Sequence, residues 1–259
     1  MVNGLLKSAG VELRRISNSN EGDPIFGTAR HGMTEELLHM KRLGFQPDLI
    51  IDAGAANGDS PFLSVFPSSK FVWIEPCQEF EKDLISLQKR FNGEYHIAVA
   101  GAEPGTSYIE VYDGFYGSTI MSSVDGHPTS KEKRPVPMIR VDQLVTPNAN
   151  SSILLKADTQ GSELEVLKGA INLFPNVELI LLEVCLFHFY DNGPDFLDIC
   201  NWLKTHGFMP YSFVNFNNRP LDKALFMIDV FFVQTEGKFR QTHQWASAKQ
   251  YADWANKKA

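Results

Sequence analysis

The sequence predicts one doubly wound α/β sheet, mostly parallel and finished by an antiparallel C-terminal hairpin. Three observations lead there. Short, nearly continuous apolar runs alternate with stretches of helical periodicity from residue 45 onward, and such runs suit parallel strands covered on both faces. A turn with two glycines, Gly54-Ala55-Ala56-Asn57-Gly58, follows directly on the first run, where open α/β sheets bind ligands. Two long apolar runs near the end flank a polar loop, the pattern of a hairpin at a sheet edge.

Each element has its own signal. Residues 1–33 are irregular and rich in Gly, Ser and Asn. Thr34 can cap a short helix with Glu35 and Glu36 in its first turn and Gly44 as its stop. Strands are expected at 49–52, 71–75, 95–100, 153–158 and 178–184. Phe80, Leu84, Leu87 and Phe91 recur at helical spacing before Asn92-Gly93. Ser162 and Glu165 have the spacing of a capping box, and Leu164, Leu167, Ile171 and Phe174 line the face that follows. Phe196, Ile199, Cys200 and Leu203 mark another helix, stopped by Gly207. Residues 101–147 break the rhythm with two strands around a long polar loop. The hairpin is expected from 208–214 and 226–233. Trp245, Ala248, Ala252 and Ala255 give the tail a helical face, suited to packing on the domain. The expected organisation is an N-terminal cap or substrate-side segment (1–44), the main domain (45–235, with 101–147 lining the acceptor site) and a C-terminal tail helix (236–259).

Composition narrows the class. The 259 residues are 43% hydrophobic, enough for a packed core. The net charge of −7 and the lack of a basic stripe argue against a nucleic-acid partner. Lys131, Lys133 and Arg134 read as a solvated loop. Three cysteines without a CxxC pair suit buried, reduced thiols. No signal peptide or membrane-length apolar run is read, so the expected compartment is the cytoplasm.

The first turn carries the chemistry. Dinucleotide sites use G-x-G-x-x-G so that a helix N-terminus meets a pyrophosphate. Here the pattern is D-x-G-x-x-x-G, from Asp52 through Gly54 to Gly58. A carboxylate repels a diphosphate and attracts a cation. S-adenosyl-L-methionine (AdoMet) carries an ammonium and a sulfonium and no phosphate. Glu75 follows 23 positions after Asp52, the spacing at which an acid accepts hydrogen bonds from ribose hydroxyls. The expected cofactor-binding residues are therefore Asp52, Gly54, Ala55, Ala56, Asn57, Gly58, Glu75 and Pro76.

The segments "LIIDAGAANGDS", "WIEPCQEF", "VPMIRVDQL", "LLKADTQGSELEVLKGA", "LILLEVCLFH" and "ALFMIDVFFV" together resemble FkbM-type AdoMet-dependent methyltransferases over roughly residues 45 to 235. The most specific stretch is Asp158-x-x-Gly161-x-Glu163-Leu164-x-x-Leu167-x-Gly169. Many family members carry Glu where this chain has Gln160. The resemblance implies a class I methyltransferase (Rossmann-like) fold, a seven-stranded sheet whose last strand is antiparallel. It also implies methyl transfer to a hydroxyl of a sugar or natural product, with S-adenosyl-L-homocysteine (AdoHcy) as product.

A hydroxyl is a weak nucleophile, and a base helps it. The candidates are Asp158, which ends the fourth strand, Glu183, which ends the fifth inside an apolar run, and His188 in an aromatic segment. Each has a bland alternative: a turn cap or ammonium contact for Asp158, a paired structural carboxylate for Glu183, and packing for His188. Glu163 opens a helix, where its charge is stabilising anyway. Asp158 and Glu183 could meet as oxygen ligands to a divalent metal, but no dedicated ligand cluster is apparent. The expected partner is a small-molecule or carbohydrate acceptor. The competing readings are an NAD-dependent oxidoreductase, against which Asp52 argues, and a non-catalytic interaction module that keeps the fold.

Overall fold

The computed structural model describes residues 30–124 and 132–258. The N-terminal segment up to residue 29 and positions 125–131 of the long loop, with Lys131, lie outside the described residues. Residues 31–241 form one unit. Its spine is a seven-stranded sheet of order β3-β2-β1-β7-β8-β10-β9. The strands are β1 (Leu49–Ala53), β2 (Lys70–Ile74), β3 (Gly93–His96), β7 (Ile153–Ala157), β8 (Val177–Cys185), β9 (Phe208–Asn218) and β10 (Leu225–Gln234). Only β10 opposes its neighbours, so the expected mostly parallel sheet with an antiparallel C-terminal hairpin is what forms.

Alternation along the strands builds two cores. Ile51, Leu155 and Leu182 face one side, with Val166 of α4 (Glu163–Gly169) and Leu203 of α5 (Phe196–Thr205). Ile50, Leu154 and Leu181 face the other, with Leu37 of α1 (Met33–Arg42), Phe62 of α2 (Pro61–Val65) and Leu84 of α3 (Glu81–Gln88). Each such side chain is fully or almost fully buried, and each contributes about 1.5–3 kcal/mol. Both faces of the sheet are covered, and so the strands read as continuous apolar runs.

Several local expectations are corrected. The strand expected over 95–100 breaks after His96. Its end, β4 (Val99–Ala100), leaves the main sheet and joins β5 (Gly105–Val111) and β6 (Glu132–Ile139) in a second sheet of order β4-β6-β5. Lys133 and Arg134 lie in β6, paired with Glu110 and Glu79, rather than in a solvated loop. The α1 N-cap is Gly32, without a side-chain cap; Thr34 does not take that role, and Glu35 reaches back to the His31 N–H. No capping box forms at Ser162, whose hydroxyl donates to the Thr159 carbonyl. Glu165 pairs with Lys168 instead. A capping box does form at Asp195 and Asp198 ahead of α5. Residues 242–258 belong to a separate unit with helix α6 (Ala248–Lys258), and Trp245 packs on Tyr251. Among the described residues no helix is long and apolar enough to cross a membrane.

Candidate functional site

Two adjoining cavities open at the carboxyl ends of the parallel strands. The first has a volume of about 170 Å³. Gly54, Ala56, Glu75, Pro76 and Asp158 line one side. Phe80 and the segment Phe115–Ile120, carried by the second sheet, line the other. The second cavity is walled by the rings of Tyr112, Tyr116, Phe189, Tyr190 and Phe226. Tyr116, Gly117, Thr119 and Gln160 belong to both. Among the described residues neither lining contains Lys or Arg.

The sheet places a charged row above its apolar core. Asp52 lies directly opposite Lys156 in the β1–β7 register, and Asp229 opposite Glu183 in the β10–β8 register. The structure corrects the picture of a bare carboxylate at the mouth. Asp52 is 2% exposed and pairs with the Lys156 ammonium at 2.9 Å. The same ammonium donates to the Gly54 carbonyl at 2.7 Å and lies 3.7 Å from Asp158. Burial raises the Asp52 pKa against the pull of Lys156. Burial opposes the charge on Lys156, but Asp52 and Asp158 outweigh it and hold the ammonium protonated. The carboxylates that line the first cavity are Glu75 and Asp158. Glu75 accepts from the Ala56 N–H at 2.7 Å and the Cys77 N–H at 2.8 Å. It thereby ties the glycine turn of β1 to the end of β2.

Gln160 joins the two cavities. Its amide nitrogen donates to Asp158 at 2.9 Å and to Glu183 at 2.8 Å. Its amide oxygen accepts from the Tyr190 hydroxyl at 3.2 Å. Burial pushes the Glu183 pKa well above the carboxylate range, and Asp158 and Asp229 add to the effect. Asp229 is itself raised by burial to about 6, although Asn215 donates to it at 2.7 Å.

A family model described as the methyltransferase FkbM domain matches residues 52–210. The chain belongs to the FkbM methyltransferase family. No curated protein matches it. Among solved structures, magnesium protoporphyrin IX methyltransferase from Synechocystis PCC 6803 with bound SAM is 10% identical. That match covers 90% of this chain and 95% of the other at a TM-score of 0.43. The N-methyltransferase NodS from Bradyrhizobium japonicum is 8% identical over 78% and 93% of the two chains, at 0.44. An rRNA methylase from Streptococcus thermophilus is 12% identical over 80% and 99%, at 0.41.

The other residues singled out in this FkbM domain separate by location. Ala55 is buried in the core. Asn57 caps its own turn by accepting from Asp59 N–H and faces a different surface groove. Gly58 has φ +71°, a backbone conformation that favours glycine, and an added Cβ would also crowd the Leu87 side chain of α3. His188 stays on the rim, largely exposed, 3.4 Å from Asp195, and lines neither cavity. Phe189 and Tyr190 take the inward positions beside it. His188, Asp195 and Asp198 do come together as possible metal ligands, but both aspartates serve the α5 capping box.

Lys156, Gln160, Tyr190 and Asp229 escaped the reading of the sequence. Lys156 carried a usable signal: a lone lysine in the apolar strand "ILLKA" needs a buried partner. Glu163 has the structural role expected of it. One of its oxygens accepts from Thr159 N–H (2.9 Å), Thr159 Oγ1 (3.2 Å) and Gly161 N–H (3.1 Å). Burial nevertheless raises its pKa from an ordinary 4.5 to about 6. A raised folded-state pKa means stability that is full below the unfolded value and lost as pH rises through the folded one. Urea unfolding should therefore show about 2 kcal/mol lost to this group between pH about 4.5 and about 6. Glu163→Gln should flatten that slope, and an unchanged slope would show that the carboxylate ionises freely.

Proposed function

We propose that this FkbM-family protein is an AdoMet-dependent O-methyltransferase acting in the cytoplasm on a hydroxyl of a sugar or small natural product. The observation that carries the reading is the pair of adjoining cavities with Asp158 at the edge of the first and Gln160 shared by both. The first cavity suits a cationic, phosphate-free ligand, because its lining offers carboxylates and aromatic faces and, among the described residues, no Lys or Arg. Ala56, Glu75 and Pro76 would hold the nucleoside part, and Phe80 and Phe115 would cover its base. AdoMet supplies an activated methyl group when bound. The ring-walled second cavity favours a small acceptor with a flat face over a nucleic acid.

Asp158 is the group placed to take the proton from the acceptor hydroxyl. Its carboxylate is partly exposed beside the first cavity and is held there by the Gln160 amide, which also donates to Glu183. Positioning of acceptor and donor supplies the remainder of the rate. In this reading residues 45–235 carry the chemistry, and the 101–147 excursion lines the acceptor site through its described residues Tyr112, Tyr116, Gly117 and Thr119. Residues 1–44 precede this domain in the chain and residues 236–259 follow it.

Calorimetry with AdoMet and AdoHcy is the direct test; saturable binding of both is expected, and binding of neither would end the proposal. Glu75→Ala should weaken AdoHcy binding by about 1–3 kcal/mol, because the variant loses a charged acceptor and leaves two loop N–H groups unpaired. Equal affinity in the variant would place the cofactor elsewhere. A fluorescence titration with NADH, expected to show no binding, separates this function from a dehydrogenase.

A further inference from the structure

We propose that Gln160 is a positioning residue whose neutral amide fills the place between Asp158 and Glu183 that a divalent cation would take if residue 160 were acidic. The inference leans on the methyl-transfer reading for the purpose of the carboxylates, not for how they are held.

A primary amide has two N–H donors and one oxygen acceptor. In Gln160 all are used. The nitrogen serves Asp158 at 2.9 Å and Glu183 at 2.8 Å, and the oxygen takes the Tyr190 hydroxyl at 3.2 Å. The amide nitrogen faces the two carboxyl groups, since the oxygen would repel the Asp158 carboxylate and lose the Tyr190 hydroxyl. The backbone aims the side chain. Gln160 has φ +54°, beside Gly161 at φ +99°, a region L residues rarely occupy unless their surroundings over-determine it. Its carbonyl accepts from Thr119 Oγ1 at 2.7 Å, which pins the turn to the roof of the first cavity.

Charge makes the amide necessary. Asp158, Asp229 and Glu163 all act on the Glu183 carboxyl group that accepts from this amide. The nearby ammonium of Lys156 is turned toward Asp52 and the Gly54 carbonyl. Two carboxylate oxygens within 3 Å of one atom are arranged much as they would be around a shared cation. With an amide there, two N–H groups hold them without an ion. With a third carboxylate, oxygens would converge and the arrangement would need a cation or a shared proton to persist.

The test compares Mn²⁺ binding, read by electron paramagnetic resonance without AdoMet, in the wild type, Gln160→Glu, Gln160→Met and Gln160→Glu with Asp158→Asn. Gln160→Glu should bind Mn²⁺ at least about tenfold more tightly than the wild type, the scale expected when one charged ligand is added to a partly formed site. Gln160→Met keeps the length without donors or charge and should stay at the wild-type level. Adding Asp158→Asn should remove the gain. Equal binding in the wild type and Gln160→Glu, or a gain that survives Asp158→Asn, overturns the proposal. If Gln160→Glu unfolds in chelator, a Mn²⁺-dependent rise in its unfolding temperature reads the same coupling, and no rise overturns it. Because AdoMet is absent throughout, failure here is distinct from failure of cofactor binding in calorimetry.

Discussion

Lys156→Met is expected to destabilise the fold by about 3–5 kcal/mol, the scale for removing one partner of a buried ion pair. The ammonium is the cross-strand partner of Asp52, whose side chain is 2% exposed. Methionine fills the same volume but leaves that carboxylate without a counter-charge, and the Gly54 carbonyl without its donor. Urea unfolding at pH 7 measures the loss. Two further results identify its cause. Asp52→Asn in the Lys156→Met background should recover much of it, since the stranded charge is gone. The penalty should also shrink at acid pH, where Asp52 can protonate. A small loss at pH 7, or one that the double variant leaves unchanged, would mean that the pair contributes packing alone.

Gly54→Ala should be at least as damaging to the site. Gly54 has φ +76°, and a Cβ there would lie 1.8 Å from the Asp158 carbonyl oxygen. That oxygen cannot simply swing away. The Asp158 N–H donates to the Ala53 carbonyl at 3.0 Å, and Lys156 holds the Gly54 carbonyl. The ends of β1 and β7 must part, which separates Asp158 from the glycine turn. We expect about 3 kcal/mol of lost stability from overpacking and strain together, and AdoHcy binding weaker by more than ~100-fold, since loop and carboxylate move apart. Gly44→Ala is the control: φ is +88° but no atom lies within 4 Å of the added Cβ, so only the backbone term of about 1–2 kcal/mol should appear. If the two variants behave alike, the close approach of β1 and β7 has no bearing on the site.

The residues differ in how far the sequence alone could take them. Glu75 was legible as a special position because its spacing from the glycine turn singles it out, and it lines the first cavity. Asp52 was legible as a special position, but its environment was not. Its partner Lys156 lies more than a hundred residues away and is brought opposite only by the β1–β7 register. His188 illustrates the opposite case. A histidine near a strand end draws attention by its chemistry, but the turn faces Phe189 and Tyr190 inward and leaves it on the rim. Gln160 stood out in the sequence only as a departure from the Glu of many family members, and in the structure it is the hydrogen-bonding centre between two carboxyl groups.

By itself the sequence determined the alternation of strands and helices, the antiparallel hairpin and the position of the glycine turn. These follow from side-chain periodicity and turn chemistry within a few neighbouring residues. Only the tertiary structure decided that Asp52 is paired with Lys156, that β4, β5 and β6 form a second sheet, and that Gln160 joins Asp158, Glu183 and Tyr190. A buried polar group announces locally that it needs a partner, but which partner it meets is decided by the order and register in which distant strands pair.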